Sequence, residues 1–197
     1  MPRTKQQYEQ IRSEKRQMIR EAALQLFASE GYAATSIHEI ARAAGISKGL
    51  LYNYFDSKED LLNSIIDNLL EEFGNMIDPD HDGIVTEEEA KGFLDKMFDR
   101  IINQKEEFKL YFQMCLQPQV AEYMLQLYYS KKTKIYREQL IYKYFSQKLN
   151  LLSPKAAYFT VISFLKGFAM VYVYTDMFSG EFMLQYKEEL KKIFFNK

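Results

Sequence analysis

Tryptophan is absent from the 197 residues, cysteine occurs once, histidine twice, proline four times and glycine eight times. A single thiol, Cys115, cannot form an internal disulfide, which removes the disulfide-scaffold class and fits a reducing compartment. So little glycine and proline argues against long loops and against the turn-dense chemistry of β-sandwiches. No stretch reaches 18 uncharged apolar residues, and the nearest approach, Phe168 to Tyr174, falls far short of a bilayer span. The opening, Met1-Pro-Arg-Thr-Lys-Gln-Gln-Tyr8, has no apolar run, so no secretory leader is expected. With His38 and His81 as the whole histidine complement, there is no histidine-containing metal cluster. There is also no nucleophile elbow and no glycine-rich phosphate loop, so nothing selects an enzyme class. The expectation is a soluble, cytoplasmic, non-enzymatic chain with no membrane association.

What the sequence does hold is apolar and charged in helical proportions: 47% hydrophobic and 27% charged, with 15 tyrosines and 15 phenylalanines. The net charge of −1 conceals an asymmetry. Residues 1–58 carry nine Lys/Arg against six Asp/Glu, whereas the rest carries 17 against 21. A basic head on a mildly acidic body points to a polyanionic partner for the head alone.

Periodic apolar positions from Ile11 through Met18, Ala22, Leu26 and Phe27 predict one amphipathic helix, ended by Gly31. Ser36-Ile-His-Glu39 is a capping-box pattern that opens a short second helix. Ala44-Gly45-Ile46 makes a turn, and Ser47 caps a third helix, predicted to run to Tyr54. Ser57-Lys-Glu-Asp60 opens a long apolar-striped helix that stops at Asp78-Pro79. Further helices are predicted over 87–103, 106–116, 121–149, 154–176 and 181–195, with no β-alternating segment. The fold class is all-α, with an N-terminal helix-turn-helix head over 1–56 and a helical body over 57–197.

A helix beginning Ser47-Lys48-Gly49 has a small, polar first turn of the kind that enters a major groove. Leu51 and Phe55 share an inward face that can pack on Ile40 and Ala44. The outward face presents Lys48 to guanine, Asn53 to adenine or phosphate, and Leu50 to a thymine methyl. Tyr52, Tyr54 and Lys58 suit phosphate contacts, as does the helix start near Ser36, and an arm with Arg3 and Lys5 adds charge.

The string Gly31-Tyr-Ala-Ala-Thr-Ser-Ile-His-Glu-Ile-Ala-Arg-Ala-Ala-Gly-Ile-Ser-Lys-Gly-Leu-Leu-Tyr-Asn-Tyr-Phe-Asp-Ser-Lys-Glu-Asp-Leu-Leu62 closely resembles the DNA-binding region of the tetracycline-repressor (TetR) family. The resemblance runs from about Arg12 to Leu70, under a third of the chain. It implies a homodimeric transcriptional regulator, most often a repressor, with a three-helix head, a linking fourth helix and a helical effector-binding and dimerisation body. Thr35 and Ser36 then correspond to phosphate-contacting helix starts. Ser47, Lys48 and Gly49 begin the recognition helix, and Tyr52, Tyr54 and Lys58 match family phosphate contacts. Leu50 departs from the smaller or hydroxylated residue usual there. A two-fold dimer would read a pseudo-palindromic double-stranded operator. The segment Tyr158 to Tyr174, apolar almost all round, must be covered on both sides and is the expected interface together with the last helix. The family also implies a small-molecule effector, apolar to amphipathic, and the candidate lining is Phe93, Met97, Phe108, Tyr111, Phe112, Met114, Tyr123, Met124, Tyr128 and Phe168.

One pattern lies outside that resemblance. Residues 78–89, between the fourth and fifth helices, match the twelve-residue EF-hand loop. Asp78, Asp80 and Asp82 fill positions 1, 3 and 5, and Gly83 fills the sharp turn at 6. Ile84 supplies a carbonyl at 7, Thr86 stands at 9, and Glu89 is the bidentate carboxylate at 12. The expected cofactor is one Ca²⁺ per chain. The competing functional class is a calcium-binding sensor or interaction protein whose head docks a protein partner.

Overall fold

The computed structural model describes residues 4–146 and 153–195. It is helical throughout, and no strand occurs among the described residues. The helices are α1 (Lys5–Ser29), α2 (Ile37–Ala43), α3 (Lys48–Tyr52), α4 (Lys58–Ile77), α5 (Glu87–Asn103), α6 (Lys105–Cys115), α7 (Pro118–Tyr128), α8 (Pro154–Tyr174) and α9 (Gly180–Phe195). A 3₁₀ turn at Lys131–Thr133 and a π-helical segment at Ile135–Ser146 lie between α7 and α8.

Local side-chain chemistry sets most of these boundaries. Thr4 caps α1 in a reciprocal box with Gln7, so the helix starts before Ile11 and Lys5 belongs to it; Arg3 lies outside the described residues. Gly31 follows the α1 cap at φ 92°, a left-handed conformation that suits glycine. Ser36 and Glu39 close the expected box at α2, and the Ser47 hydroxyl accepts from Leu50 N–H at α3. At α4 the Ser57 hydroxyl accepts from Asp60 N–H as expected, but the Asp60 carboxylate reaches Asp56 N–H instead.

Three predicted helices change, and one of them is α8, which ends at Tyr174 rather than at 176. α3 ends at Tyr52 rather than Tyr54, because Asn53, Tyr54 and Phe55 turn their N–H groups back to Leu50 and Leu51. The helix expected over 121–149 begins at Pro118 and breaks after Tyr128; 147–149 lie outside the described residues. Ser130 adopts extended geometry, and the hydroxyls of Ser130 and Thr133 both donate to the Leu127 carbonyl. Hydroxyls that satisfy a terminal carbonyl compete with helix continuation.

The chain forms two compact units. The first comprises residues 1–69 and 110–123, the second 70–109 and 124–197, so the division differs from the 1–56 and 57–197 partition drawn from the motif. In the first unit Ile19, Ala23, Phe27, Ile40, Leu51, Phe55, Leu61 and Ile65 form the core. In the second, α5 packs on α9 and α8 on the π-helical segment. Asp95 of α5 ties α9 down through Lys191 (2.6 Å) and Lys187 (3.2 Å). Arg100 bonds Glu72 (2.5 Å), Glu107 (3.3 Å) and Gln104 (2.8 Å). No helix among the described residues is long and apolar enough to cross a membrane.

Candidate nucleic-acid interface and acidic loop

The first unit presents one face of α3 to solvent. Ser47, Lys48, Gly49, Leu50, Tyr52 and Asn53 are all exposed, while Leu51 and Phe55 are buried, as are Ile40 and Ala44. Leu50 is 38% and Tyr52 45% accessible, so the face offers apolar and aromatic surface beside its polar groups. Arg16 buttresses the far end of the helix, donating to the Tyr54 carbonyl (2.7 Å) and covering the Phe55 ring. Tyr54 is half-buried beneath Arg12, and Lys48 reaches over the Tyr52 ring.

Two expected phosphate contacts have other partners. Thr35 is buried, and its hydroxyl donates to the carbonyls of Gly31 (2.8 Å) and Leu26 (3.3 Å). Lys58 is half-buried, and its ammonium donates to the carbonyls of Tyr32 (2.8 Å), Thr35 (2.9 Å) and Ala33 (3.3 Å) over the Tyr32 ring. An ammonium has three donors, and all three are committed here. Both residues hold the turn between α1 and α2. Ser36 stays at the surface, its hydroxyl and N–H both donating to Glu39. The Ser36 hydroxyl, then its backbone bond, hold the Glu39 carboxyl below the usual range.

A further residue of this turn carries no motif or periodicity that marks it. Gln117, just before α7, accepts from Tyr32 N–H (2.5 Å) and donates to the Phe27 carbonyl (2.6 Å). The Tyr32 peptide is therefore held at its N–H by Gln117 and at its carbonyl by Lys58.

In the second unit the acidic loop joins α4 to α5. Asp78, Asp80 and Asp82 bring one carboxylate oxygen each to within 4.8 Å of one another. Asp78 is 93% buried; its Oδ2 accepts from Gly83 N–H (3.1 Å) and its Oδ1 is buried without a partner. Asp80 and Asp82 accept from the N–H groups of Asp82 (3.3 Å) and Ile84 (2.7 Å). Glu89 does not join them in this conformation: its Oε2 accepts from the N–H and the hydroxyl of Thr86 (2.8 Å each), a capping box at the start of α5. Ile84 is exposed and Val85 fully buried. The Val85 carbonyl accepts from the Lys143 ammonium (3.0 Å) and the Tyr144 hydroxyl (2.8 Å) of the π-helical segment.

The expected effector-lining residues fall in both units. Tyr111, Phe112, Met114 and Tyr123 belong to the first; Phe93, Met97, Phe108, Met124, Tyr128 and Phe168 belong to the second. Met114 and Phe93 are fully buried core, and Phe168 lies in a ring cluster with Tyr186, Phe178 and Phe98. Tyr123 donates to Asp67 (3.4 Å); burial first, then the Asp67 charge, push its phenol up to about 12. A groove of about 610 Å³ in the second unit is lined by Glu72, Asn75, Asp99, Arg100, Asn103, Gln104 and Met76, and none of the expected residues lines it.

Residues 19–65 match the family described as bacterial regulatory proteins, tetR family. Relatives by sequence include the uncharacterized HTH-type transcriptional regulator YuxN of Bacillus subtilis (strain 168), 55% identical over 53 residues, which is 27% of this chain and 18% of that protein. The HTH-type transcriptional regulator HbdR of Aromatoleum sp. (strain CIB) is 39% identical over 71 residues, 36% of this chain and 31% of that protein. The chain thus matches less than a third of the length of these relatives, and the match falls on the head. The fold is shared more widely. The fatty acid degradation regulator FadR from Bacillus halodurans superposes with a TM-score of 0.64 at 23% identity, over 91% of this chain and 94% of that one. A transcriptional regulator of the TerR/AcrR family from Aquifex aeolicus VF5 gives 0.64 at 20% identity, over 91% and 99%.

Proposed function

We propose that this chain is a ligand-responsive transcriptional regulator of TetR type, acting as a homodimeric repressor on a pseudo-palindromic operator. The observation that carries the reading is the exposed face of α3. Lys48, Leu50, Tyr52 and Asn53 face water on a short helix whose opposite side is fully buried, within the segment that matches the family. Lys48 offers charge to guanine, Asn53 a bidentate amide and Leu50 an apolar contact, the three chemistries by which base edges are told apart. With Thr35 and Lys58 committed internally, phosphate anchoring falls to Ser36, Tyr52, Tyr54 and the exposed cations of the head.

Dimerisation is supported by large apolar side chains that a single chain leaves more than 40% exposed: Phe159 and Phe164 on α8, and Phe182, Leu184 and Ile193 on α9. The effector is an apolar to amphipathic molecule, received among the aromatic and methionine side chains of the helical body.

The test is selection of bound duplexes from a randomised library, followed by affinity against salt on the enriched site. An enriched inverted repeat is expected, with affinity falling steeply as salt rises because phosphate contacts release counterions. Lys48→Ala is expected to relax base preference at one position, a loss of about 1–3 kcal/mol. No enrichment and no salt dependence would sink this reading in favour of a head that docks protein.

A further inference from the structure

We propose that the α4–α5 corner is a calcium site, formed by Asp78, Asp80 and Asp82 and completed by the Ile84 carbonyl, Thr86 and Glu89. This goes beyond the DNA-binding reading and does not rest on it. Three carboxylates held together repel one another, and such a cluster alone signifies little. Asp78 adds the independent observation. It is 93% buried, and only one of its oxygens is satisfied, by Gly83 N–H; Oδ1 is enclosed without any donor. Buried polar atoms in native proteins are almost always paired, and an enclosed carboxylate oxygen calls for a cation or a donor.

The spacing fits the ion. Calcium–oxygen bonds of about 2.3–2.6 Å let two ligands of one ion stand roughly 4.6–5.2 Å apart at most. The three carboxylate oxygens lie within 4.8 Å of one another. An all-oxygen set of hard ligands suits Ca²⁺ better than Mg²⁺, which demands a tighter octahedron and gives up water reluctantly.

Glu89 is three residues into the hydrogen-bonded start of α5, where it now serves the capping box. Ligation requires it to leave Thr86 and turn toward the aspartates, so the ion competes with the cap. That competition, and the single loop, place the affinity at the weak end, with Kd of about 10⁻⁴–10⁻³ M. The buried Val85, whose carbonyl is taken by Lys143 and Tyr144, shows how one loop stands without a second beside it. Side chains of the π-helical segment supply the donors that a neighbouring loop's backbone would otherwise give.

The experiment is isothermal titration of Ca²⁺ into the full, chelator-stripped chain in millimolar Mg²⁺, without DNA, paired with thermal unfolding in each ion. Saturation near one ion per chain is expected, with the unfolding midpoint rising in Ca²⁺ and not in equal Mg²⁺. Glu89→Gln keeps a side chain able to complete the capping box while removing the bidentate carboxylate. Asp80→Ala alters an exposed position and serves as the second variant. Both are expected to lose saturable binding in the millimolar range. Absence of saturable heat, an equal response to Mg²⁺, or unchanged binding in both variants would overturn the site. Because no duplex is present, operator binding succeeds or fails separately.

Discussion

Lys58 shows what a residue's chemistry leaves open. A lysine beside a recognition helix suits a phosphate, yet its ammonium is spent on the carbonyls of Tyr32, Ala33 and Thr35. Sequence displays the donor but not the carbonyls that a turn aims at it. The caps were legible because both partners lie three residues apart, as Ser36 with Glu39. Thr35 was not, because its acceptors are the backbone carbonyls of Gly31 and Leu26, which no side-chain pattern marks. Lys58→Met, which keeps the stem and removes the donors, is expected to cost about 1 kcal/mol of stability in urea unfolding, since part-buried carbonyls lose a charged partner. Lys48→Ala should leave the urea midpoint unchanged. Tyr123 gives a second expectation at this scale. Its phenol, raised to about 12, keeps its proton in the folded chain at pH values where an unfolded tyrosine with a pKa near 10 has lost it. The stability it contributes is therefore complete below pH 10 and lost as pH rises toward 12. Ultraviolet titration of native chain against Tyr123→Phe should show one late phenol missing, and the variant should lose less stability over that window.

Among the elements, the acidic corner and the break after α7 are set by opposite kinds of signal. The corner's sharp turn was legible in Gly83, since glycine is the residue that the left-handed region suits. Gly83 stands at φ 81°, and His81 also occupies the left-handed region at φ 59°. A Cβ added at Gly83 would meet nothing within 4 Å, so its cost is purely conformational. Gly83→Ala is expected to lower stability by about 1–2 kcal/mol in thermal unfolding with chelator present, where no ion contributes. The break at Ser130 was not readable, because Tyr128 to Thr133 carries neither proline nor glycine. There two hydroxyls decide the matter by donating to one carbonyl, Leu127.

For the molecule as a whole, the all-helical class and the helix-turn-helix head follow from periodicity and capping. The composition of the first compact unit does not. Residues 110–123 belong with residues 1–69, a grouping that no contiguous reading of the chain supplies. The partly exposed apolar side chains on α8 and α9 belong to this scale too, since under the dimer reading a second chain covers them. Phe164, 51% accessible, is the natural position to test. Phe164→Glu is expected to yield monomer in sedimentation with helical content unchanged, and to weaken binding to the selected operator by about tenfold or more. A variant that remains dimeric would move the interface elsewhere.

Gln117 and Tyr32 are 85 residues apart, and that separation bears on the order in which the chain acquires its structure. During synthesis all of α1 to α3 leaves the ribosome before Gln117 has been added. At ordinary elongation rates of about 5–20 residues per second, the emerging head spends some seconds with the Tyr32 N–H and the Phe27 carbonyl facing water. The turn on which α2 and α3 are set thus takes two of its bonds from downstream, and those bonds form only after translation has passed the start of α7.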